Sequence, residues 1–404
     1  MGLSPACDLF VLCGEPSGDA YAGALIAELR RRHPSLAVAA MGGEHCRAAG
    51  AVIEQPIDGL AVMGLLPVLA RLPEFIRLGL RLARIVRDSA PAVVVTVDYP
   101  GFNLRLLRRL AGLRQRGTRF IHVVAPQVWA WKPRRAKAIA ASVDRLLCFF
   151  PFEPPLFNRF AGRWAKSCSA EFIGHPLVDL VAAGADPDQV RSELGLATND
   201  RLLLLAPGSR EREVATLLPV FHQAAEALSR RLPRVRVAVS RHPDVPLGRY
   251  RAITHFPLVE GRFRSLCAAA QAGLVASGTA SLEASLLGLP HVIAYRMDPP
   301  TAAIARHLIR TDHVGLPNIV LGWRAVPEVL QRQLDPVRLT AHLLRLWDGP
   351  RRAEMLADLA AVRSALGGGG ALTRISDIVA EELAQAIAKR GASRTSDRLR
   401  SEVT

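Results

Sequence analysis

The feature that most constrains this chain is a strand, loop and helix signature that occurs twice, at the amino terminus and again at the midpoint. At the midpoint Leu202 to Ala206 is an uncharged run, Pro207, Gly208, Ser209 and Arg210 turn it, and Val214, Leu217, Leu218 and Phe221 follow at spacings of three and four. An apolar run without alternation reads as a strand buried on both faces, and the later spacing is that of a helix. At the start, Leu9 to Cys13, the small-residue loop Gly14 to Asp19 (GEPSGD) and Tyr21 to Leu29 repeat the order. Two halves that open alike predict two α/β domains, and 404 residues exceed what one ordinary core holds.

Strand signals continue at Ala37 to Ala40, Val93 to Val97, Phe120 to Val124, Leu146 to Phe149, Val235 to Val239, Ala272 to Ala276 and Val292 to Ala294. Their alternation with helical runs predicts two Rossmann-like, doubly wound parallel sheets with ligands at the carboxyl ends of the strands. The polar stretch Gly184 to Gln189 is the expected linker, with His175 near the junction. The boundaries expected are 1–185, 186–365, a helical segment 366–390 and a disordered tail 391–404, which is small and charged.

Charge narrows the partners. Lys+Arg 52 against Asp+Glu 36 leaves +16, mostly from arginine spread along the chain without the aromatic-basic motifs of RNA-binding modules. Phosphorylated substrates or an anionic membrane fit this better than nucleic acid. Six cysteines form no C-x-x-C pair and several lie in apolar strands, the pattern of reduced thiols in a cytosolic protein. No signal peptide is expected, and no uncharged apolar run reaches the length of about 18 residues that a spanning helix needs. Neither a metal-ligand cluster nor a cofactor motif is found: GEPSGD is neither G-x-G-x-x-G nor a P-loop.

Several residues stand where such a fold does chemistry. The Pro207–Arg210 loop offers backbone N–H groups, a helix start and a guanidinium to an anion; alternatively Ser209 caps a helix and Arg210 is solvated. In ASGTASLE, small Ser277, Gly278 and Thr279 let a diphosphate approach the backbone, and Glu283 one turn later suits ribose hydroxyls; Thr279 as a helix cap is the plainer reading. Asp98 ends a strand before a Pro-Gly turn, placed either for a general base or merely for the turn. Glu15, Ser17 and Asp19 are polar groups at the first loop, where Ser17 or Asp19 can equally cap the next helix. His122, Trp129 and Trp131 lie near the basic group Lys132, Arg134, Arg135 and Lys137, which suits a phosphate-bearing amphiphile or a charged helix start.

Residues 60 to 88 interleave apolar residues with Arg71, Arg77, Arg81, Arg84 and Arg87, after an uncharged stretch from Leu60 to Ala70. Such a segment either enters a lipid interface or packs on the core with a solvated arginine face.

In order along the chain, GEPSGD, AVMGLLPVL, VDYPGFN, APQVWAWKPRR, FFPFE, FIGHP, LAPGSREREV, ASGTASLE, YRMDPPT, TDHVGLPNI and PEVLQ closely resemble the lipid A disaccharide synthases, a bacterial GT-B glycosyltransferase family, over roughly residues 9 to 345. The resemblance implies two Rossmann-like domains facing across a cleft. It also implies an inverting, metal-independent transfer of 2,3-diacylglucosamine from its UDP derivative to the 6-hydroxyl of 2,3-diacylglucosamine 1-phosphate, releasing UDP, without a cofactor. On this chain Asp98 would be the general base and Arg210 the diphosphate ligand. Gly208, Ser209, Ser277, Gly278, Thr279, Glu283 and Asn318 would complete the UDP side, and Glu15, Ser17, Asp19 and His122 the acceptor side. Met63, Leu65, Leu66 and Leu69 would meet acyl chains at the anionic cytoplasmic face of the inner membrane, and a homodimer is compatible with the resemblance. Pro67, Gly101 and the short segment His242 to Pro246 depart from the pattern, so acyl-chain preference is left open. A UDP-sugar 2-epimerase-like isomerase and a catalytically silent membrane-binding relative are the alternatives on the same fold.

Overall fold

The computed structural model describes residues 7–58, 60, 71–131, 135–160, 168–182, 184–297 and 311–401. They form two units: residues Met1–Gly174 with Gly370–Thr404, and residues His175–Gly369. The division therefore falls at His175, ahead of the polar stretch expected to be the linker. That stretch instead starts a helix, Pro187–Glu193, with the Asp186 carboxylate capping the Gln189 N–H.

In the first unit β1 (Leu9–Cys13), β2 (Val38–Gly42), β3 (Val52–Pro56), β4 (Val93–Val97), β5 (Arg119–Val123), β6 (Arg145–Cys148) and β7 (Ser169–Phe172) make one parallel sheet in the order β3-β2-β1-β4-β5-β6-β7. In the second, β8 (Arg201–Ala206), β9 (Val235–Arg241), β10 (Leu258–Glu260), β11 (Ala270–Ala276), β12 (His291–Tyr295) and β13 (Glu328–Leu330) follow the order β10-β9-β8-β11-β12-β13. Every residue of β1 and β4 is buried, as uniform apolar runs require when helices cover both faces of a sheet. The strand order reverses between β1 and β4, and between β8 and β11. At such a reversal the chain leaves neighbouring strands toward opposite faces, which opens a crevice beyond their carboxyl ends. The register pairs Cys13 with Val97 and Val275 with Ala206, so the loops after β1 and β4 emerge side by side, as do those after β8 and β11.

The carboxyl-terminal segment corrects the expected boundaries. Ala371–Ser401 is one helix that returns to the first unit, spanning much of the stretch expected to be a disordered tail. Ile375, Val379, Leu383 and Ala386 on it join the core of that unit. Its Glu382, with a side chain only 4% exposed, pairs with Arg119 Nε at 2.6 Å and Arg145 Nε at 3.0 Å. Removing one partner of a buried ion pair leaves uncompensated charge, so Glu382→Ala is expected to cost about 3–5 kcal/mol. A denaturant melt of the intact chain checks it, and a loss below about 1 kcal/mol would make the helix an ornament rather than a brace.

Candidate active site

Asp98 and Tyr99, the two residues after β4, both take left-handed backbone conformations, with φ of 47° and 50°. This geometry costs a non-glycine residue roughly 1–2 kcal/mol, less for Asp than for Tyr, so the surroundings must impose it. Asp98 N–H donates to Val123 O at 2.9 Å, and buried Asn103 donates its Nδ2 to Asp98 O at 2.8 Å. The Tyr99 ring fills the space above Gly14, where an added Cβ would come within 2.3 Å of it. Gly14 thus admits the ring that fixes the turn. The Asp98 carboxyl is half-buried, has no ion-pair partner among the described residues, and is raised above the usual carboxylate range by burial, an effect only partly offset by the Tyr99 N–H. A carboxylate partly shielded from water and without an ion-pair partner among the described residues, at a strand end, is a competent proton acceptor.

The other residues expected around the first loop divide. The loop is shorter than anticipated, because the helix Pro16–Arg32 begins at once, with Glu15 in the cap position. Glu15 is half-buried and Ser17 exposed, both at the crevice end of β1; neither Ser17 nor Asp19 caps this helix. Asp19 is corrected from an acceptor-side group to a structural one. It is buried, and its two oxygens accept the N–H groups of Gly43, His45 and Cys46. Burial works to raise its carboxyl, but these bonds outweigh it and hold the group below its ordinary value. His122 is corrected in the same way: it lies inside the sheet with no exposed surface, its Nδ1 2.7 Å from Thr96 Oγ1, and burial pushes it down to about 4. A neutral core histidine cannot reach a ligand at the rim. Trp129 Nε1 donates to Glu153, which is buried and also accepts the Phe150 N–H; burial pushes that carboxyl up to about 7. Met63, Leu65, Leu66, Pro67, Leu69, Lys132 and Arg134 lie outside the described residues.

In the second unit the carboxyl ends of β8, β9, β10 and β11 surround a cavity of about 790 Å³. It is lined by Gly208, Ser209 and Arg210 after β8 and by Ser277, Gly278 and Thr279 after β11, with Glu283 beyond. Four cationic or ionisable residues that the strand-end reading missed, Arg241, His242, Arg262 and Arg264, complete it. The size suits a nucleotide-bearing ligand and the charge suits its phosphates. No side chain caps either helix that starts here, so Ser209 and Thr279 are not caps; the helices begin after Arg210 and Gly278. Their first N–H groups face the cavity end of the sheet, as an anion requires.

Glu213, in the first turn of the helix that follows, is a residue the strand-end reading does not single out. Its carboxylate accepts the Ser209 N–H at 3.1 Å and pairs with Arg210 Nη1 at 3.3 Å. Gly208, at φ 117°, leaves room for it, since a Cβ there would lie 2.3 Å from Glu213 Oε2. Glu213 therefore occupies the donors that the loop would offer a phosphate. Glu283 is held by Arg264, Nε to Oε1 at 2.5 Å. Asn318 is corrected from a cleft group to a brace, being fully buried. It bonds Val326 through both backbone atoms and donates to Glu328 Oε1 at 2.7 Å. Glu328 in turn accepts the Val314 N–H, and Val314 O accepts Ser277 Oγ, so Asn318 supports the Ser277 loop from behind.

Two sheets with the same winding, one bearing a basic, nucleotide-sized cavity at its strand reversal, define the GT-B class shared by nucleotide-sugar glycosyltransferases and epimerases. Solved structures agree on the fold. The UDP-GlcNAc 2-epimerase of Neisseria meningitidis bound to UDP-GlcNAc is similar at a TM-score of 0.60 and 13% identity, covering 92% of this chain and 99% of that one. A calicheamicin glycosyltransferase is similar at 0.57 and 16%, covering 93% and 98%.

The family described as lipid-A-disaccharide synthetase matches residues 9–366, and the chain belongs to it. A lipid-A-disaccharide synthase of Myxococcus xanthus is 38% identical over 381 residues, 93% of this chain and 97% of the relative. One from Neisseria meningitidis is 36% identical over 86% and 90%. The chain is accordingly a glycosyltransferase of lipid A biosynthesis, and the isomerase alternative, supported only by a likeness of fold, falls away. Among the described residues no helix is long and apolar enough to cross a membrane.

Proposed function

We propose that Asp98 removes the proton from the acceptor's 6-hydroxyl as that oxygen attacks the anomeric carbon of UDP-2,3-diacylglucosamine, with inversion, while the second unit holds the UDP that leaves. The observation that carries the reading is the cavity at the β8 and β11 ends, which Arg210 and two uncapped helix starts line together. Charge that develops on the diphosphate is met there by protein donors already in place, so no metal ion is needed. The diphosphate displaces Glu213 from Ser209 N–H and Arg210, exchanging one anion for another at the same donors. Glu283 accepts from the ribose hydroxyls, and Glu15 and Ser17 border the acceptor. The test is product analysis of the purified protein with both lipid substrates in EDTA. A disaccharide whose new bond has the anomeric configuration opposite to the donor's, formed at an undiminished rate, is expected. Retention of configuration, or loss of turnover in chelator, would overturn the reading.

Both substrates carry acyl chains, so the site must work at a lipid surface. The helix Leu72–Ser89 buries Leu82, Ala83 and Val86 but exposes Leu72, Ile76 and Leu80 in one stripe, flanked by exposed Arg77, Arg81 and Arg84. Each arginine near an anionic surface contributes on the order of 1 kcal/mol. Replacing Leu72, Ile76 and Leu80 with Ser, which spares the core, is expected to weaken sedimentation with anionic vesicles several-fold and to leave UDP binding intact. Replacing Leu65 and Leu66 with Ser should act in the same direction. Binding that is indifferent to both the substitutions and the lipid charge would place the membrane contact elsewhere.

A further inference from the structure

Helix Glu211–Arg231, which begins at the phosphate-facing loop of the second unit, carries His222 and Glu226 one turn apart, and the loop after the helix Leu247–Arg251 sets exposed His255 beside them. One ring nitrogen of each histidine and one oxygen of Glu226 all lie within 4.8 Å of one another. His222 Nε2 is already 3.6 Å from Glu226 Oε1. In a tetrahedral zinc site with bonds of roughly 2.0–2.1 Å, neighbouring ligand atoms stand about 3.3 Å apart. Two of the three ligands are thus nearly placed, and the third, His255, is on an exposed loop beside them.

The surroundings favour ligation over a chance cluster. His222 Nδ1 is 3.0 Å from Thr254 Oγ1, which is itself fixed by accepting the Phe256 N–H. With Nδ1–H donating to that oxygen, the Nε2 lone pair faces Glu226, the outer-shell arrangement that orients metal-binding histidines. The Phe256 ring packs against both imidazoles, at centroid distances of 4.9 Å and 4.5 Å, and limits their rotation. Arg230 Nη1 lies 4.0 Å from the other Glu226 oxygen, Oε2. The second cluster of ligand-type side chains, Cys13, Asp19 and Cys46, lacks these features. Its carboxylate is consumed by backbone N–H groups, and the Cys46 thiol is raised by its hydrogen bond with the Cys13 thiol and by burial.

We propose that His222, Glu226 and His255 form a divalent transition-metal site of the zinc class, with three protein ligands and a fourth position open to water. A bound ion would tie the helix Glu211–Arg231 to the connection between β9 and β10; Arg241, the last residue of β9, and His242, the first of that connection, line the donor cavity. It stands apart from the transfer chemistry, so chelation leaves turnover unaffected. The test uses the full chain stripped of metal and titrated with ZnCl₂ by calorimetry, and with CoCl₂ by visible absorption. One equivalent of zinc and the visible bands of tetrahedral cobalt bound by nitrogen and oxygen are expected. His255→Ala, on an exposed loop, and Glu226→Gln should each weaken binding at least about tenfold while keeping the far-UV spectrum of the parent. Absence of saturable binding, parental affinity in both variants, or a thiolate-to-cobalt charge-transfer band would overturn the assignment.

Discussion

Asp98→Asn is expected to fold normally, to bind UDP as the parent does, and to lose roughly 10²–10⁴-fold in turnover, the contribution of a positioned general base. Asn keeps the shape and tolerates φ near 47° as well as Asp, so the strained turn survives the change. The stability effect has a definite sign. Burial raises the Asp98 carboxyl, so the folded state binds that proton more tightly than the unfolded chain does. Its stabilising contribution is complete below the unfolded value and is lost as pH rises through the folded one. At neutral pH the ionised carboxylate is therefore a liability that the fold tolerates for chemistry, and the neutral amide should raise Tm or leave it unchanged. A variant of near-parental activity would reduce Asp98 to a turn residue, and a lowered Tm would contradict the electrostatic part of the argument.

Arg210→Ala is expected to cost roughly 10²–10³-fold in kcat/KM, the scale for losing one preorganised donor to a developing anion. Its side chain is 60% exposed and its pair with Glu213 is a surface contact, so stability should change by no more than about 0.5 kcal/mol. The loss has two sources. The guanidinium no longer meets the diphosphate, and Glu213 is left on the Ser209 N–H without its cationic partner, where it repels the incoming phosphate. Arg210→Lys should recover only part, because a point charge replaces a planar fork that pairs two oxygens at once. Calorimetry with UDP separates the cases: unchanged affinity in both variants, together with unchanged rates, would put Arg210 on a solvated face.

The central strands were legible because burial on both faces leaves a mark that composition alone carries, as in Val93 to Val97. The edges were not. Val52–Pro56 has exposed ends and carries Glu54 and Gln55, while Leu258–Glu260 and Glu328–Leu330 are three residues each, too short for a period to show. At the site, Asp98, Arg210, Ser277, Gly278 and Thr279 follow strand ends in the structure, with Glu283 one turn into the next helix, because those positions follow from the local pattern. Asp19, His122 and Asn318 were misplaced for the opposite reason. Whether a polar group faces a ligand or satisfies the interior depends on its partners, and theirs are the 43–46 backbone, Thr96 and Glu328, none of which adjoins them in sequence. Arg241 and His242 had a usable signal, since they follow the recognised strand Val235 to Val239. Arg262 and Arg264 follow a strand with no such signal. Glu213 looked like any acid in a first helical turn, and only the positive φ of Gly208 with the Ser209 N–H gives it a different meaning. The return of residues 371–401 to the first unit joins Ile375, Val379, Leu383 and Ala386 to a distant core and Glu382 to Arg119 and Arg145, long-range partners that the local sequence does not name.

The most direct test of Asp98 as the proton acceptor is the pH dependence of UDP release from the two lipid substrates, measured in parallel for the parent and Asp98→Asn. The parent rate should climb as pH rises through the elevated carboxyl value of Asp98 and then level, while the variant stays low without that step. Identical pH profiles in the two proteins would contradict the assignment.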